Sequence, residues 1–101
     1  MRQIEKEMVN AISKKLTWEK DNTRVEYLPA IDTPLHSRIE MSMVYLHNNH
    51  IATFCYELNE THVNPFIVKK WPTRTTFSRL NALGIRAGKR KGITYIGNVA
   101  L

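Results

Sequence analysis

Four hydroxyls and two guanidinium groups fall within seven residues of this chain, at Thr73, Arg74, Thr75, Thr76, Ser78 and Arg79. A helix beginning at Thr73 would also gather free backbone N–H groups there. Donors, helix dipole and positive charge together are what a phosphate oxygen requires. The same hydroxyls equally suit a helix that binds nothing, because threonine is a good N-cap. Further on, Arg86, Lys89, Arg90 and Lys91 cluster beside Gly88 and Gly92. This segment reads as a mobile basic loop that can follow a phosphate backbone and lacks the periodicity of a base-reading helix. The candidate nucleic-acid-binding residues are therefore Arg74, Thr75, Thr76, Ser78, Arg79, Arg86, Lys89, Arg90 and Lys91. Trp71 and Tyr95 would stack on unpaired bases if they project from that surface, and otherwise belong to the core boundary.

Other chemistries find less support. His47 and His50 lie across a hairpin end with no neighbouring Cys or carboxylate to complete a metal site. Cys55 is the single cysteine, so neither an internal disulfide nor a four-cysteine zinc site can form. The glycines, Gly84, Gly88, Gly92 and Gly97, match no phosphate-loop spacing, and no nucleophile sits beside a base. No catalytic residues, no metal and no cofactor are expected.

Charge supports the phosphate reading. All nine acidic residues lie in residues 1–60, with seven basic ones, whereas residues 61–101 carry eight basic residues and no acid. Such asymmetry points to a polyanionic partner.

The elements that must hold these residues can be read from periodicity. Ile4, Met8, Ala11, Ile12 and Leu16 form an apolar stripe that predicts a helix over residues 2–16. A short strand follows from Thr23 to Leu28, then a loop bracketed by Pro29 and Pro34. Residues 38–47 and 50–58 predict a hairpin turning at Asn48-Asn49. That register opposes Ile39 to Leu58, Met41 to Tyr56, Met43 to Phe54 and Tyr45 to Ala52 as the buried face. Val44, Leu46 and Ile51 then lie on the half-exposed side. Residues 62–70 suggest a strand with Pro65 at its start, an edge or a bulge. A helix over residues 73–84, stopped by Gly84, and a last strand from Ile93 to Ile96 complete the chain.

The stretch Thr75-Thr76-Phe77-Ser78-Arg79-Leu80-Asn81-Ala82-Leu83 resembles a group of small uncharacterised proteins of tailed bacteriophages. So do Asn22-Thr23-Arg24-Val25 and Leu46-His47-Asn48-Asn49-His50-Ile51-Ala52. The group is recognised by an Asn-Thr-x-Val strand, a Leu-His-x-x-x-Ile-Ala hairpin and a Thr-Thr-x-x-Arg-Leu-Asn-Ala-Leu helix. The resemblance implies a phage origin and expression inside a bacterium, and it supplies no catalytic residues.

The expectation is one α+β domain over residues 1–101, with a basic C-terminal lobe at 61–101. An antiparallel sheet of four or five strands would be packed by two helices in the order αβββ(β)αβ. No apolar run approaches the roughly 20 residues that span a bilayer, so no membrane role is expected. The leading function is non-catalytic nucleic-acid binding in the bacterial host cytoplasm, with DNA ahead of RNA. The alternative is an accessory protein that binds and inhibits or redirects a host protein, using Val44, Leu46 and Ile51 as its apolar contact. Oligomeric state is left open.

Overall fold

The computed structural model describes residues 1–32 and 38–101. Helix α1 (Gln3–Ser13) forms because Met8, Ala11 and Ile12 share one face, and all three are buried. It stops short of the expected residue 16. Lys15 takes a positive φ of 57°, and Leu16 is left half exposed.

A five-stranded antiparallel sheet follows in chain order: β1 (Trp18–Lys20), β2 (Thr23–Asp32), β3 (Arg38–Leu46), β4 (Asn49–Cys55) and β5 (Glu60–Val63). Two helices, α2 (Pro65–Lys70) and α3 (Arg74–Ala82), lead to a three-stranded antiparallel sheet. Its strands are β6 (Ala87–Arg90), β7 (Ile93–Ile96) and β8 (Val99–Ala100). The class is α+β, opening on a helix, as the sequence indicates. The short β1, the third helix and the second sheet were not expected.

Three local expectations are corrected. Residues 62–70 are not one strand: β5 ends at Val63, and Pro65 opens α2. The proline ring pre-sets a helical φ at the first position, where no N–H bond is lost. The loop after Pro29 begins later than expected, because β2 continues to Asp32 and pairs Ile31 with Ile39 across an irregularity. The rest of that loop, with Pro34, lies outside the described residues.

The third correction concerns register. The hairpin turns at His47-Asn48, with φ of 51° and 64°, not at Asn48-Asn49. Tyr45 therefore pairs with His50, and after a one-residue shift Val44 pairs with Ala52 and Ser42 with Phe54. Side chains alternate faces along a strand, so the slip turns β3 over. Ser42, Val44 and Leu46 face the core, while Met41, Met43 and Tyr45 are half buried.

The core joins Met8, Ala11 and Ile12 of α1, Val68 of α2 and Leu80 of α3 to Val25, Val44, Leu46, Ile51 and Ala52 of the larger sheet. Truncating Val44 to alanine should cost about 2 kcal/mol in urea unfolding, and Met43→Ala less than about 1 kcal/mol. The reverse ranking would restore the register expected from sequence.

Candidate nucleic-acid interface

Helix α3 starts at Arg74 because Thr73 caps it: its Oγ1 accepts the Thr76 N–H at 3.1 Å. Thr76 itself is buried and bonded to the Thr73 hydroxyl at 3.0 Å. The capping reading accounts for both threonines without a ligand.

Arg79 points inward and is only 3% exposed. Its Nη1 donates to Glu5 Oε2 at 2.8 Å, its Nε to Thr23 Oγ1 at 3.0 Å, and its Nη2 to Asn22 Oδ1 at 3.3 Å. The Ser78 hydroxyl donates to the same Glu5 oxygen. Thr23 in turn donates to Asn22 Oδ1 at 2.8 Å. This constellation locks α3 to α1 and to the start of β2, and it consumes Arg79 and Ser78. A guanidinium that already serves a buried carboxylate, a hydroxyl and an amide is not offered to phosphate.

The sequence carried one overlooked sign of this. Glu5 stands at helical spacing from Met8 and Ile12, so it shares the buried stripe of α1 and needs a cationic partner. The Asn22-Thr23 and Arg79-Leu80 segments, read separately as motifs, meet at this point.

Burial pushes the Glu5 carboxyl upward. The hydrogen bonds from Ser78, Arg79 and the Arg2 backbone N–H, with the charge of Arg79, outweigh it and hold the group below its ordinary value. A lowered folded-state pKa adds stability that is complete above the ordinary value of 4.5 and fades as pH falls through the folded value. Thermal midpoints should therefore decline below about pH 4.5, and a Glu5→Gln variant should show a shallower decline. Parallel curves for the two proteins would remove Glu5 from the acid response.

The remaining candidates stand outside. Arg74 is exposed and Thr75 half buried at the start of α3. Arg86, Lys89, Arg90 and Lys91 are all exposed, but they do not form a floppy loop. Strands β6 and β7 pair Gly88 with Tyr95, Lys89 with Thr94 and Arg90 with Ile93. The turn is Lys91-Gly92, with φ of 51° and 80°, the positive pair that a two-residue hairpin turn requires. Asn81 fastens this hairpin to α3, donating to the carbonyls of Phe77 at 2.7 Å and Ala87 at 3.2 Å. Beside it, Arg86, Lys89, Arg90 and Tyr95 line a polar cavity of about 220 Å³, with the Arg90 guanidinium 5.5 Å from the Tyr95 ring centroid.

The basic lobe thus presents Lys69, Lys70, Arg74, Arg86, Lys89, Arg90 and Lys91 to solvent, none ion-paired among the described residues. Trp71 is 47% exposed, whereas Tyr95 is half buried. The apolar contact imagined for a host protein is absent from the surface: Val44, Leu46 and Ile51 are core residues. Among the described residues no three potential metal ligands come together, and no helix is long and apolar enough to cross a membrane.

Fold and surface together define a small basic α+β domain whose net positive charge is concentrated in residues 61–101, where no acidic side chain offsets the cations. The chain belongs to the Kyanoviridae Gp96 protein family, whose model matches residues 1–98, and it is accordingly a small phage protein. No curated protein and no solved structure gives a significant match.

Proposed function

We propose that this phage protein binds nucleic acid without catalysing a reaction on it, in the cytoplasm of the infected bacterium. The observation that carries the reading is the segregation of charge. Residues 61–101 contain no Asp or Glu, and all their Lys and Arg residues except the buried Arg79 are exposed. Phosphate contacts from Arg86, Lys89, Arg90 and Lys91, with Arg74 and Thr75 at the start of α3, supply affinity and little base preference. The polar cavity lined by Arg86, Lys89 and Arg90 supports the reading, because its lining offers cations and no acidic side chain to a phosphate group.

Fluorescence anisotropy with labelled DNA and RNA, single- and double-stranded, tests this at about 50 and 200 mM salt. Binding that weakens steeply with salt is the expected result, with DNA preferred over RNA. No binding at the lower salt would overturn the reading and leave a host protein as the partner to seek.

A further inference from the structure

We propose that the apolar pocket beside Trp71 seats an unpaired nucleobase, so that the preferred ligand is a single strand. This rests on the phosphate-binding reading above. The pocket, about 350 Å³, opens between the β3–β4 turn and the α2–α3 junction. Ile67 and Trp71 supply its apolar surface over a floor formed by the core residues Leu46 and Ile51, and His47 and Asn49 add hydrogen-bonding groups.

A nucleobase is flat and apolar on its faces and polar along its edge. That distribution matches aliphatic and indole walls with an imidazole and an amide nearby. Trp71 is 47% exposed although indole is among the most favourable side chains to bury, so this residue is left partly open to solvent beside the pocket.

Charge selects the occupant. No carboxylate lines the pocket. Exposed Lys69 and Lys70 immediately precede Trp71, and exposed Arg74 follows Thr73 at the same junction. The Lys70 ammonium lies 5.8 Å from the Trp71 ring centroid, close enough to meet a phosphate attached to a base on that ring. An apolar ligand without anionic groups would leave these cations unused. A base in a duplex has both faces stacked and its edge paired, so entry requires a single strand or an extruded nucleotide.

The test uses the full chain with Trp18→Phe, which leaves Trp71 as the only tryptophan. Three labelled probes of about fifteen units are compared at about 50 mM salt: oligothymidylate, an abasic strand and a duplex. Oligothymidylate should quench Trp71 emission and bind roughly 5- to 150-fold more tightly than the abasic strand. Adding Trp71→Ala should remove that difference and leave abasic-strand affinity unchanged, while Trp71→Phe should retain most of it. Equal affinity for the thymidine and abasic strands would overturn the pocket and spare the phosphate reading. So would a Trp71→Ala loss shared equally by both strands. Failure to bind any of the three probes would overturn both.

Discussion

Replacing Arg79 with methionine is expected to lower folding stability by about 3–5 kcal/mol, a large part of the roughly 5–15 kcal/mol typical of a domain. For a chain of this size the thermal midpoint would fall by roughly 12–40 °C. The cause is what stays behind. Glu5, at 3% exposure, would lose its buried cationic partner, and Thr23 and Asn22 would lose their donor. Replacing both partners, as Glu5→Leu with Arg79→Met, should recover much of the loss, because neither charge then has to be desolvated. Urea unfolding of the two single variants and the double variant gives the coupling directly. Single-variant costs under about 1 kcal/mol would mean that the pair behaves like a surface ion pair. The double variant, where folded, should bind nucleic acid with an unchanged salt slope, since Arg79 makes no phosphate contact in the proposed interface.

Neutralising Lys89, Arg90 and Lys91 together to glutamine should have the largest effect on binding. Losing three phosphate contacts would flatten the dependence of log affinity on log salt by about 2–3. At about 50 mM salt, affinity would fall on the order of a hundredfold or more, similarly for every sequence. Net charge alone does not predict this specificity of place. Lys6→Gln with Lys14→Gln removes two cations from exposed positions on and beside α1 and should leave the slope nearly unchanged. Equal slopes for wild type and the triple variant would remove the β6–β7 hairpin from the interface.

Much of the architecture could be read from local pattern. The stripe of Met8, Ala11 and Ile12 announced α1, and Thr73 and Gly84 bracketed α3 within a residue or two. What escaped was decided by small conformational choices or by distant partners. Moving the β3–β4 turn by one residue to His47-Asn48 inverted β3, although both asparagine-rich alternatives tolerate positive φ. Lys91-Gly92 was a turn signal hidden inside a run of charges, so a hairpin passed for a loop. Arg79 could not be assigned locally, because its carboxylate partner lies 74 residues away. Of the proposed phosphate ligands, the exposed ones were legible as charge and Thr76 was covered by the capping alternative; the withdrawal of Ser78 and Arg79 into the fold was not legible.

The small three-stranded sheet has a bearing on how the basic surface behaves in solution. Across β6, β7 and β8, Thr94 is the sole buried residue, while Ile93 and Val99 remain exposed. Little apolar burial opposes local opening there, so amides of this sheet should exchange with solvent through excursions far cheaper than global unfolding. The hairpin carrying Lys89, Arg90 and Lys91, though paired and tied to α3 through Asn81, is thus held by few buried apolar contacts of its own. A polyanion bound only by the closed hairpin would deepen that local free-energy well, and engagement would register as slowed amide exchange across residues 87–96.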